Sequence, residues 1–274
     1  MGIVNLTPDS FSQDGVGTDA ERAIAHARAQ WEAGADILDL GAESSRPGAT
    51  LVSETEELRR LLPVLEEVGR WPVPVSVDTY KPAVMKAVLA AGAAMINDIH
   101  ALRQPGALSA VQDSDCALCL MHMQGEPGTM QQAPAYGDVV AEVHQFLRQR
   151  VAACLQAGID PSRLVLDPGF GFGKTLEHNS ALFRALTVQG IDGYPVLVGV
   201  SRKSMLGALT GQPVQARVAA SIAAALLAAQ QGAAILRVHD VAATRDALAV
   251  LEGLGPLRSR QAVNETIEIH NNRE

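Results

Sequence analysis

Met1-Gly2-Ile3-Val4-Asn5-Leu6-Thr7-Pro8 opens the sequence, and its reading decides between two parallel α/β architectures. Gly2–Asn5 is a short apolar run that ends on an amide, as a strand covered on both faces does. An open, doubly wound sheet follows its first strand with a glycine-rich turn into a helix. Here Leu6-Thr7-Pro8 and a polar loop follow instead. Similar runs recur at Asp36–Gly41, Pro74–Asp78, Met95–Ile99, Ala117–Met123, Leu164–Asp167, Pro195–Ser201 and Ala234–His239.

The stretches between them carry helical spacing, as in Ala20, Ala23, Ile24, Ala27 and Trp31, or Leu58, Leu61, Leu62 and Leu65. Thr18 with Glu21, and Ser53 with Glu56, have capping-box spacing, and Pro82 suits a first helical turn. Val139, Val143, Phe146, Leu147 and Val151 mark a fifth helix, and Val214–Gln231 reads as a long seventh. Gly34, Gly92, Gly158 and Gly232 each close a helical stripe just before a strand, where a left-handed cap belongs. Eight strand–helix units fit one closed (β/α)8 barrel of the TIM type, for which about 250 residues is usual. The expectation is a single α/β domain over residues 1–274, with the barrel in 1–257 and a C-terminal extension in 258–274.

Composition agrees with that architecture. Hydrophobic residues make up 47% and aromatic ones only 4%, which suits packed helices and parallel strands better than a β-sandwich. The net charge of −8 comes without a basic cluster, so neither nucleic acid nor an anionic membrane surface is an expected partner. No apolar run reaches the ~18 residues of a membrane span. Cys116, Cys119 and Cys154 read as reduced core thiols of a cytoplasmic protein, since no second pair completes a metal site around the first two.

Polar residues gather where the strands end: Asn5, Asp39 with Glu43, Asp78, Asn97, His122, Asp167, Ser201-Arg202-Lys203, and Arg237 with His239. In a parallel barrel that end carries the active site. Burying so many ionisable groups costs several kcal/mol each unless they are paired or used. Asp78, Asn97 and Asp167 suit a heterocycle edge bearing several N–H donors, and Lys203 its acceptors. Arg46 beside two serines, with Arg237 and His239, suits a negatively charged group. Residues 7–15 read as a polar lid, and Phe170 and Phe172 among glycines as a wall for a flat ligand. His26, His100, His144, His178 and His270 read as solvated.

These strings resemble the dihydropteroate synthases over almost the whole chain: MGIVNLTPDSFS at 1–12, GAESSRPGA at 41–49, SVDTYK at 76–81, INDI at 96–99, LMHMQG at 120–125, LDPGFGFGK at 166–174, VSRKS at 200–204 and RVHD at 237–240. The resemblance implies condensation of 6-hydroxymethyl-7,8-dihydropterin diphosphate with p-aminobenzoate, giving 7,8-dihydropteroate for folate synthesis and releasing diphosphate. It implies Asp78, Asp167 and Lys203 as catalytic, and Asp78, Asn97, Met121, Asp167, Phe172 and Lys203 as pterin-binding. Ser45, Arg46, Pro47 and Ser204 would form the p-aminobenzoate pocket, and Asn5, Arg46, Arg237 and His239 the diphosphate site. It further implies Mg2+ held by Asn5, sulfonamides as inhibitors, and a homodimer. Gln13-Asp14 in the first loop and Ser45 in the second depart from the family pattern. A corrinoid-dependent methyltransferase or a silent pterin-binding protein would need less of the Arg237–His239 clamp. A Schiff-base aldolase on Lys203 and a binuclear metal hydrolase, which lacks its His-x-His pair here, are weaker alternatives.

Overall fold

The computed structural model describes residues 1–6, 20–44 and 51–254. β1 (Gly2–Asn5), β2 (Leu38–Gly41), β3 (Val75–Asp78), β4 (Met95–Asp98), β5 (Ala117–Met121) and β6 (Leu164–Asp167) pair in parallel in chain order, and β7 (Leu197–Val198) pairs with β8 (Ile235–Leu236). Two seams close the ring. Leu166 bridges Val196 and donates its N–H to the Pro195 carbonyl at 2.9 Å. Gly2 bridges Val238, while Ile3 N–H donates to Val238 and Val238 N–H to Met1, both at 3.0 Å. The chain therefore forms the expected (β/α)8 barrel. The last two ladders are shorter than their apolar runs, because Pro195 offers no N–H and the segments beyond Val198 and Leu236 diverge into loops.

Alternation along the strands sorts the residues into two cores. Met1, Met95, Cys119, Val165 and Leu197 pack together inside the ring with Ile37, Ala117 and Ile235. Their strand neighbours Leu38, Leu40, Val75, Val77, Ile96, Leu118, Leu120 and Leu166 belong to the larger core beneath the helices. Two residues on from interior positions stand Asp39, Asn97, Met121, Asp167 and Arg237. The interior is thus apolar at the N-terminal end and polar at the C-terminal end.

Around the ring lie α1 (Ala20–Glu32), α2 (Glu54–Val68), α3 (Pro82–Ala90), α4 (Ala107–Val111), α5 (Val139–Gln156), α6 (Leu176–Arg184), α7 (Ser204–Thr210), α8 (Val218–Gln230) and α9 (Val241–Leu254). Ser53 caps α2 by accepting from Glu56 N–H at 3.2 Å. Gly34, Gly92, Gly158 and Gly232 all adopt positive φ, between 81° and 97°, as their positions require. The expected seventh helix, Val214–Gln231, starts later than its apolar spacing: 214–216 form a 3-10 turn and α8 begins at Val218, after the separate α7 has ended on left-handed Gly211. All three cysteines are buried and free. No described helix is long and apolar enough to cross a membrane. The Thr18–Glu21 cap, the first loop and the 258–274 extension lie outside the described residues.

Candidate active site

A cavity of about 490 Å³ opens at the C-terminal end of the strands. Asn5, Asp78, Asn97, Met121, Asp167, Phe172, Lys203, Ser204, Arg237 and His239 all line it, whereas Phe170, expected beside Phe172 as a wall for a flat ligand, turns away into the core and packs on Phe183. Ser45, Arg46 and Pro47 lie outside the described residues. Asn5, Asp78, Asn97, Met121, Asp167 and Arg237 reach the cavity because they share the inward-facing strand positions.

Charge is concentrated at the floor. Arg237 donates through Nε to Asp39 at 2.6 Å and through Nη2 to Asp78 at 3.0 Å. Burial pushes the Asp78 carboxyl up to about 7, with Arg237 pulling it down and Asp39 adding to the rise. Burial opposes charge on Arg237 too, but Asp39 and Asp78 more than offset it and hold the guanidinium ionised. Asp167 is likewise raised by burial and drawn back by Lys203. Its carboxylate accepts the Gly169 N–H at 2.7 Å. Burial lowers the Lys203 ammonium to about 8, against the pull of Asp167. That ammonium donates to the Phe170 carbonyl and lies 4.3 Å from the centre of the Phe172 ring. His239 Nδ1 is 3.0 Å from the Ser201 hydroxyl, which also accepts the His239 backbone N–H at 3.2 Å. Acids and an amide face the cavity beside cations, and Met121 and Phe172 supply apolar walls.

Two histidines differ from their expected places. His122 follows Met121 and so faces outward, away from the cavity. Burial, then Lys174, lowers its ring to about 3, so it is neutral and Nδ1 accepts from Lys174 Nζ at 2.9 Å. The same ammonium donates to the carbonyls of Gly169 and Phe172 at 2.9 and 3.0 Å, pinning the β6–α6 loop from behind. His100 is buried, not solvated, because its ring stacks on Tyr80 at 4.5 Å.

Three further contributors carried no assigned role in the sequence. Asp39 was visible as a strand-end acid, and its inward parity would have placed it beneath Arg237. Ser201, likewise visible as a strand-end polar residue, lines the cavity with Met130, which sits in the β5–α5 loop, where no periodic pattern points to it.

Gly169 is constrained twice, by φ of 70° and by a Cβ position only 1.8 Å from the His122 carbonyl oxygen. Gly169→Ala is therefore expected to cost roughly 2–4 kcal/mol of stability, since the backbone contact can be relieved only by moving the loop. Urea unfolding of the purified variant measures it.

Fold and site together define a parallel-barrel enzyme with an acid- and cation-lined cavity at its C-terminal mouth. A family model for pterin binding enzymes matches residues 1–239. The chain is 54% identical over 260 residues to a dihydropteroate synthase of Neisseria meningitidis serogroup C, covering 93% of this chain and 92% of that one. It resembles the Xanthomonas albilineans dihydropteroate synthase solved with 4-aminobenzoic acid, at 55% identity and a TM-score of 0.86 over 94% and 93% of the two chains. The Yersinia pestis dihydropteroate synthase in complex with a sulfonamide drug gives 48% identity and a TM-score of 0.88 over 92% of each chain. The chain belongs to the dihydropteroate synthase family of pterin-binding transferases.

Proposed function

We propose that the protein joins 6-hydroxymethyl-7,8-dihydropterin diphosphate to p-aminobenzoate by dissociative C–O cleavage followed by amine attack. The observation that carries this reading is the convergence of Asp78, Asn97, Asp167 and Lys203 with Arg237 and His239 on one cavity. In it the acids and the amide accept the N–H groups of the pterin edge, while Lys203 donates to its ring acceptors. Met121 and Phe172 hold the two faces of the ring. Arg237 Nη1 has no hydrogen bond among the described residues, so this edge of the guanidinium is available for a diphosphate oxygen beside His239.

As the C–O bond breaks, positive charge develops on the pterin methylene. The Asp78 carboxylate stabilises that cation electrostatically, and the weakly basic arylamine attacks it without a protein nucleophile. Ser45, Arg46, Pro47 and Ser204 form the arylamine pocket in this reading, with Arg46 also reaching the diphosphate.

The donor chemistry fits a Mg2+ that arrives with the diphosphate. Asn5 offers one hard amide oxygen at the cavity wall, and the described residues hold no group of three His, Cys, Asp or Glu side chains to cage an ion. When bound there, Mg2+ supplies charge neutralisation for the leaving group.

The complexes of the relatives with 4-aminobenzoic acid and with a sulfonamide support the same arylamine pocket here, with sulfonamides as inhibitors. A cytoplasmic homodimer, with residues 258–274 appended to one barrel domain, completes the proposal.

Mixing the purified protein with the pterin diphosphate, Mg2+ and p-aminobenzoate is expected to yield dihydropteroate by mass spectrometry. Absence of that mass from folded protein would overturn the reading. Sulfanilamide is expected to raise the apparent KM for p-aminobenzoate without changing kcat, and a kcat effect instead would place it outside the arylamine pocket.

A further inference from the structure

Behind the cavity wall lies a buried charge cluster that the proposed reaction does not use. Glu57 on α2 is only 1% exposed, and the side chains of Glu43 and Lys81 are 9% and 12% exposed. The Lys81 ammonium donates to Glu43, to Glu57 Oε2 at 2.6 Å and to the Val52 carbonyl at 2.6 Å, which uses all three of its protons. Glu43 Oε1 in turn accepts from the Tyr80 hydroxyl at 3.2 Å and from Val52 N–H at 3.4 Å. Tyr80 is itself fixed by its stack on His100.

Residues 43 and 52 bracket the second βα loop, nine positions apart in the chain. One ammonium therefore grips both ends of that loop and binds them to α2. Glu43 and its neighbour Ser44 line the cavity, so the cluster fixes a segment of its wall. The arrangement is not needed to bring α2 and α3 together, because Leu61, Val64 and Leu65 already share a core with Val84, Met85 and Val88. Burying an ammonium between two carboxylates is costly unless every partner is placed. Fixing two points of a chain removes entropy from the segment between them.

We infer that Lys81 is a positioning residue for the arylamine half of the reaction: it holds the ends of the loop that carries Ser45, Arg46 and Pro47, and touches no substrate itself. This rests on the arylamine pocket proposed above.

The test separates the two substrates. In Lys81→Met, the KM for p-aminobenzoate is expected to rise roughly tenfold, as loss of a hydrogen-bonded charge implies. The dissociation constant of 6-hydroxymethylpterin, measured by calorimetry without arylamine, is expected to stay within about twofold, because Asn97, Asp167 and Lys203 stand on or just after other strands and Asp78, though on β3, is held by Arg237 and not by Lys81. Lys81→Arg, which keeps charge and donors, is expected to recover most of the lost arylamine affinity.

An unchanged arylamine KM in folded Lys81→Met overturns the inference, as does an equal loss of pterin affinity, which would mark a general structural role. If Lys81→Met does not fold, Glu43→Gln takes its place. It removes one charge of the cluster and is expected to raise the same KM about threefold. No rise there also overturns the inference. Turnover by the unsubstituted protein tests the underlying reaction, so a silent parent and an insensitive variant are different failures.

Discussion

Lys203→Ala is expected to lower kcat/KM for the pterin diphosphate by a factor on the order of 10²–10³, the usual effect of removing one preorganised donor from a water-poor site. The protein should remain folded. Lys203 stands after β7 at the cavity edge, and its loss opens space that water can enter. The comparison with Asp167 is more exacting. Asp167→Ala is expected to cost activity by similar orders of magnitude, but it also removes the acceptor of the Gly169 N–H. Asp167→Asn keeps an oxygen for that bond while losing the charge, and so isolates the chemistry from the loop. Steady-state kinetics with circular dichroism as the folding check measures all three. Near-normal turnover in either alanine variant would remove Lys203 and Asp167 from the mechanism.

The Lys203 environment also sets a pH dependence. Burial brings its ammonium to about 8, with Asp167 and Asp78 opposing and Arg237 assisting that fall. In the proposed complex the protonated form donates to the ring, so pterin affinity is expected to be full below that value and to weaken as pH rises through it. In Lys203→Arg, whose side chain stays charged, the alkaline decline should vanish from calorimetric titrations. A decline that persists in the arginine variant would belong to another group.

Arg237→Ala should carry the largest stability effect among the cavity residues, about 3–5 kcal/mol, because it strands a buried carboxylate without its partner. Asp39 is fully buried, and its Oδ1 has no hydrogen bond even with Arg237 in place. Such a loss is a large share of the ~5–15 kcal/mol by which domains are stable. Adding Asp39→Asn to Arg237→Ala should restore part of it, since the stranded charge is then gone. Activity should not return with stability, because the proposed diphosphate site would still lack its guanidinium. Urea unfolding of the two single variants and the double variant forms the thermodynamic cycle. If Arg237→Ala unfolds at the same urea concentration as the parent protein, the ion pair with Asp39 contributes nothing.

These expectations join two kinds of information. The order of eight apolar runs, the glycines that close helices and the polar residue at each strand end were all legible locally. Each depends on backbone conformation or on a period of two or 3.6 residues. That was enough to bring Asn5, Asp78, Asn97, Asp167 and Arg237 to one mouth, because parallel strands in a closed ring must all end there. The start of the expected seventh helix, Val214–Gln231, was less legible. Apolar spacing continues through Val214, and only Pro213 and left-handed Gly211 hint that α8 starts at Val218.

The amino-acid sequence by itself thus determined the barrel, the face that carries the site and most of the side chains that enter it. Only the tertiary structure decided how those side chains are paired. It set Arg237 against Asp39, 198 positions away, turned His122 outward onto Lys174, buried His100 against Tyr80, and drew Glu43, Val52 and Glu57 onto Lys81. The reason is physical. Strand parity fixes which face a residue occupies, whereas an ion pair requires a match of distance and direction between segments that are remote in the chain until the ring closes.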